Sequence, residues 1–122
     1  MKVAGMALLI SLGLSASVQA ATANIPSSFH GFWEEAEMCK LALEIGAPNT
    51  GAVISATEVH GYENHCEVKE VTAPSKNTIE VSLACMQEGE SHNETLELRS
   101  FDNKYLVISR EGDNTLPLVR CE

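Results

Sequence analysis

The sequence predicts an all-β fold: a small antiparallel β-barrel of six to eight strands, with at most one short helix and two disulfides. Three observations lead there. Short β-branched or alternating runs recur about every ten residues from Val53 to Cys121, separated by clusters such as Ala47-Pro48-Asn49-Thr50-Gly51 and Glu111-Gly112-Asp113-Asn114. No long helical period is visible to compete with them. The chain also carries four cysteines, an even number that an oxidising compartment converts into disulfides.

The first element is a leader. Lys2 supplies a positive start, Val3 to Leu14 is almost unbroken apolar sequence, and Ser15 to Ala20 turns to small residues, the build of a secretory signal peptide over residues 1–20. Its apolar run is about a dozen residues where a spanning helix needs about twenty, so cleavage after Ala20 is expected and no membrane span remains. No cysteine stands at that junction to take a lipid. The expected destination is the bacterial periplasm or the medium. Removing residues 1–20 leaves 102 residues and takes the formal charge from -9 to -10, because Lys2 is the only charged residue lost. So acidic a chain repels phosphate backbones, and its six aromatics offer bases few stacking platforms, so nucleic acid is excluded as a partner.

Ala21, Thr22, Ala23, Asn24 and Ile25, followed by Pro26-Ser27-Ser28, read as an exposed N-terminal arm over residues 21–28, with the stapled domain occupying 29–122. Glu34 to Glu44 fits a helix with Met38, Leu41 and Ala42 on one side, but Leu41 and Leu43 also alternate as in a strand; residues 36–44 stay open. Strands follow at Val53 to Ala56, at Glu58 to His60, and on either side of a turn at Ala73-Pro74-Ser75-Lys76-Asn77. Leu96 and Leu98 alternate with Glu97 and Arg99, and Tyr105 to Ser109 and Leu116 to Cys121 complete the set. Alternation assigns faces: Ile79, Val81, Leu83 and Cys85 point inward, Glu80, Ser82 and Ala84 outward. Most of the acidic excess then lies on outer positions and in turns.

Folded about the Ala73–Asn77 turn, the hairpin aligns Val68 with Leu83 and Cys66 with Cys85 on its apolar side, close enough to bridge. Cys39 is left for Cys121. The pairing Cys39–Cys66 with Cys85–Cys121 stays open. No two cysteines form the close knuckle of a tetrathiolate zinc site.

Phe29-His30-Gly31-Phe32-Trp33 places a glycine two residues before the only tryptophan, which suits a backbone passing close to an indole that plugs the barrel. Gly31 and Trp33 are therefore read as structural. This opening resembles the G-x-W signature of calycin-type barrels, and with Cys39-Lys40-Leu41-Ala42-Leu43 it resembles small periplasmic inhibitors of secreted metalloproteases. The resemblance implies a compact eight-stranded barrel whose N-terminal arm, here Ala21 to Ser28, enters a protease cleft. Two extra cysteines and the lack of a second tryptophan segment depart from that family.

Catalysis is not expected. The chain has no G-x-S-x-G elbow, Asp102 and Asp113 stand in turns, and Glu34 and Glu35 are neighbours that a strand sends to opposite faces. No cofactor is expected and no metal is assigned; the candidate ligands are His60, Glu63 and His65, with His30 or His92 to complete a zinc or copper set. On a strand the five-residue spacing of His60 and His65 separates the rings, so a sharp turn at Gly61 is required. The functional expectation is an exported, non-enzymatic module that binds a protein partner, in its sharpest form an inhibitor of a protease or another envelope-directed enzyme. The arm and the loops Glu88 to Asn93 and Glu111 to Leu116 are its expected contacts. The competing readings are a metal- or small-ligand-binding protein using the barrel mouth, and a structural envelope protein with no discrete site.

Overall fold

A computed structural model describes residues 22–122; the leader assigned to 1–20, and Ala21, lie outside the described residues. The elements are β1 Gly31–Glu34, α1 Cys39–Ile45, β2 Ala52–Ile54, β3 Glu58–Gly61, β4 Asn64–Ser75, β5 Thr78–Gln87, β6 Glu90–Phe101, β7 Tyr105–Arg110, β8 Asp113–Asn114 and β9 Val119–Arg120. All neighbours pair antiparallel in one sheet, in the order β8, β7, β6, β5, β4, β3, β2, β1, β9. Among the described residues the predicted class holds: all-β and antiparallel, with one short helix and two disulfides. Two details differ. The described residues form nine strands instead of six to eight, and the sheet is not closed into a barrel by a continuous ladder. Its ends touch where Leu106 and Leu118 exchange two backbone hydrogen bonds of 3.0 and 2.8 Å. The break has a local cause, since Pro117 has no amide hydrogen to offer a ladder and splits the last segment into two-residue strands.

The inner face is a core of Val59, Cys66, Val68, Val71, Ile79, Val81, Leu83, Cys85, Leu96, Leu98, Leu106, Ile108 and Leu118. The β5 alternation reads as predicted, with Ile79, Val81, Leu83 and Cys85 buried. The turn before it shrinks from the predicted five residues to Lys76-Asn77, and Pro74 lies within β4 at a register shift between Thr72 and Ser75. Residues 36–44 resolve as a 3-10 turn at Ala36–Met38 leading into α1. The helix stops at Gly46, whose left-handed φ of 84° lets its N–H and that of Ala47 reach the Ala42 carbonyl.

The exposed-arm expectation fails at Ile25. Thr22, Ala23, Asn24, Pro26, Ser27 and Ser28 are exposed, but Thr22 exchanges backbone hydrogen bonds of 3.0 and 2.6 Å with Val71. The Ile25 N–H donates to Ala56 at 2.8 Å, and Ile25 is 2% exposed within the core. Ile25 is the segment's one large apolar side chain, and an open end of the sheet offers it a place out of water.

Cys66 pairs with Cys85 directly across β4 and β5, Cα to Cα 4.0 Å, and Cys39 bonds to Cys121 at 5.3 Å, so the alternative connectivity does not form. The sequence separations of 82 and 19 residues predict unequal contributions, about 4 to 5 and about 3 kcal/mol in the chain-entropy account. Urea unfolding of the two paired Cys→Ser variants should show the larger loss for Cys39/Cys121. An equal or reversed order would contradict the loop-entropy account.

The antiparallel order sorts the turns by end. Tyr62-Glu63, Glu88-Gly89 and Glu111-Gly112 share one end of the sheet, the mouth, while the N-terminal segment packs by Ala56 at the other. A ten-residue strand such as β5 spans about 30 Å. The N-terminal segment therefore lies at the opposite end of the sheet from the turns Glu88-Gly89 and Glu111-Gly112, which begin the other two expected contact loops.

Candidate functional site

Trp33 is buried and its indole N–H donates to the Phe29 carbonyl at 2.9 Å. The Arg120 guanidinium lies over the ring, 4.3 Å from its centroid, and donates to the carbonyls of His30 at 2.9 Å and Ser28 at 2.7 Å. Gly31 has a φ of +146°, and a Cβ there would stand 3.1 Å from Arg120 Nε. The glycine thus accommodates the arginine stem that covers the indole, where the sequence reading invoked the indole itself.

Glu34, next in β1, is a fully buried carboxylate. Oε1 accepts the N–H groups of Asn49 at 2.6 Å and Gly51 at 3.4 Å; Oε2 accepts the Thr50 hydroxyl at 2.6 Å and the N–H groups of Thr50 and Glu35 at 3.2 Å each. Burial opposes its charge, but the Thr50 hydroxyl and the amides of Asn49, Glu35 and Thr50 outweigh it and hold the carboxyl below its usual range. This is a structural anchor for the Pro48–Gly51 loop.

At the mouth, Glu94 shares the inner face of β6 with Leu96 and Leu98. Its Oε1 accepts from Arg110 Nε at 3.1 Å, and its Oε2 accepts from Asn64 Nδ2 at 3.2 Å and lies 2.7 Å from His92 Nε2. Burial again opposes ionisation, and His92, Arg110 and Asn64 together lower its pKa. Sequence reading weighs Glu34 only as half of a carboxylate pair and does not single out Glu94. The signal for Glu94 was present in its two-residue spacing from Leu96, which puts a carboxylate on the core face.

The candidate metal residues divide. The sharp turn falls at Tyr62-Glu63, just after the Gly61 where the sequence reading had it, and pairs His60 with His65 across β3 and β4 so that both rings share one face. Glu63 stays apart at the turn, exposed and with a φ of 54°. Glu58 Oε1 takes its place, 2.9 Å from His60 Nε2, while His60 Nδ1 faces His65 Nδ1 at 2.6 Å. The two His60 nitrogens thus point to different neighbours, and Glu58, His60 and His65 do not converge on one point. His30 Nε2 is spent on the Ile25 carbonyl at 2.7 Å and His92 on Glu94. Among the described residues, the one grouping of three His, Cys, Asp or Glu ligand atoms is Cys66, Cys85 and Glu94, whose sulfurs are joined in the disulfide.

The largest departure from ordinary burial is α1. A surface helix normally turns its apolar stripe inward. Here only Ala42 is buried, while Leu41 is 48% and Ile45 66% exposed. With Met38, Ala47, Pro48 and Tyr62, itself 59% exposed, they line an apolar groove of about 200 Å³ between the helix and the β3–β4 turn. No helix among the described residues is long and apolar enough to cross a membrane. No family model, curated protein or solved structure matches the chain.

Proposed function

We propose that the chain is an exported, non-catalytic binding module that holds a protein partner in the groove between α1 and the β3–β4 turn. The observation that carries this reading is the inverted burial of α1. Water-exposed leucine and isoleucine beside a half-exposed tyrosine cost solvation until another surface covers them, and contiguous patches of this kind mark interaction sites. Export is supported by the leader and by two disulfides, which belong to oxidising compartments.

Charge selects the occupant. Exposed Glu37, Glu44 and Glu63 flank Met38, Ile45 and Tyr62 in sequence, in a chain with 17 acidic and 8 basic residues. The matching segment carries one apolar anchor side chain with lysine or arginine on either side. Inhibition of an exported protease or other envelope enzyme is the sharpest form of this reading, with the groove replacing the arm as the contact.

A photo-crosslinking amino acid at Leu41 tests it in the producing organism. The expected result is a discrete adduct whose crosslinked peptide holds an apolar residue flanked by basic ones, lost when Tyr62→Ser is added. Adducts to non-basic segments, or yield unchanged by Tyr62→Ser, would overturn the reading.

A further inference from the structure

The outer face of the sheet carries a row of side chains that the groove does not use. Register places His60 opposite His65 and His65 opposite Met86, on β3, β4 and β5. All three line one open cavity of about 400 Å³. The imidazoles stand edge to face, 72° between planes, with their Nδ1 atoms 2.6 Å apart.

Glu58 decides what those nitrogens offer. An ionised carboxylate only accepts, so the contact from Glu58 Oε1 to His60 Nε2 holds the His60 proton on Nε2. In the neutral ring, Nδ1 then presents a lone pair toward His65. The proton between the two rings belongs to His65 Nδ1, and moving it to Nε2 of that exposed ring leaves two lone pairs converging. Such a tautomeric change needs no backbone movement. A carboxylate holding the far N–H of an imidazole is also the usual support of a metal-bound histidine, because it fixes the ring and raises its basicity. Two nitrogens on one ion lie about 3 Å apart at metal–nitrogen lengths of roughly 2.0 to 2.1 Å, so the rings part by less than about 1 Å to admit one.

Met86 selects among metals. It is 48% exposed and carries a soft thioether on the residue that register sets opposite His65. Imidazole suits zinc and copper alike, but a thioether favours monovalent copper, and divalent copper outranks zinc on nitrogen ligands. We propose that His60, His65 and Met86 form a copper-binding site, with Glu58 positioning His60. Divalent copper is held by the two imidazoles; monovalent copper takes the Met86 sulfur as well.

The test is titration of the full disulfide-bonded protein with Cu²⁺ in air, with Cu⁺ under nitrogen against a chromophoric chelator, and with Zn²⁺ in parallel. Expected are one copper per chain, nitrogen hyperfine structure in the Cu²⁺ resonance spectrum, and weaker zinc binding. His60→Ala or His65→Ala removes the one-to-one complex, and Glu58→Gln weakens it about tenfold. Met86→Leu weakens Cu⁺ binding and leaves Cu²⁺ unchanged. Both histidines lie outside the core, so circular dichroism should confirm that the variants fold. Copper binding that survives the double histidine variant, tighter binding of zinc, or no effect of Met86→Leu on Cu⁺ would overturn the assignment.

Discussion

Gly51→Ala is expected to destabilise the domain by about 4 kcal/mol or more, enough to leave it largely unfolded at 37 °C. A Cβ at this buried position would overlap the Trp33 carbonyl oxygen and lie 2.7 Å from the Trp33 carbonyl carbon and 3.0 Å from Glu34 Cα. Both residues are fixed, Trp33 by Arg120 and Phe29 and Glu34 by its five donors, so neither yields cheaply. Gly46→Ala is the control. Its φ of +84° strains alanine, but nothing lies within 4 Å of the new methyl, and the left-handed penalty is about 1 to 2 kcal/mol. Urea denaturation of the two variants should separate them clearly. A Gly51→Ala protein within 1 kcal/mol of the parent would show that β1 and the Pro48–Gly51 loop are looser than this geometry.

Glu34→Gln is the second large effect, about 3 kcal/mol at neutral pH, because the new NH₂ turns donors toward amide donors in a site without water access. It also carries a pH signature. The folded-state pKa of Glu34 lies below that of an unfolded glutamate, about 4.3, so its stabilisation is fully present above that pH and declines as pH falls through the lowered folded value. The parent should therefore lose stability in acid by a component that the glutamine variant lacks, and the two unfolding curves should converge as pH drops. Parallel curves from pH 7 to pH 3 would assign the acid sensitivity elsewhere, with Glu94, shifted in the same direction, the first alternative.

Much of this was legible in the chain. Strand identity, the inward faces of β5 and the Cys66–Cys85 bridge follow from local alternation and one hairpin register, which depend on neighbours in sequence. Residues 36–44 were ambiguous because a seven-residue helix has little period to display, and this one buries a single alanine. Glu34 was read as half of an unproductive carboxylate pair, since its donors come from a loop 15 to 17 residues away. Ile25 was read as exposed for the same reason: its partners Ala56 and the sheet end are distant in sequence.

The candidate site shows the same division. Sequence supplied His60 and His65 and the condition that a sharp turn must face them together; the two-residue turn met that condition, and only the register of β4 with β5 brought Met86 alongside. The all-β antiparallel class, a hairpin register that sets Cys66 opposite Cys85, and the inward face of β5 could be read from the residues alone, because period-two alternation is local, whereas the choice between the two cysteine pairings needed the folded chain. The open sheet, the burial of Ile25, the opposite placement of the N-terminal segment and the mouth loops, the Glu34 anchor and the outward stripe of α1 emerge only on folding. Each of these depends on contacts between segments far apart in the chain, and such contacts leave no periodic trace in the residues that make them.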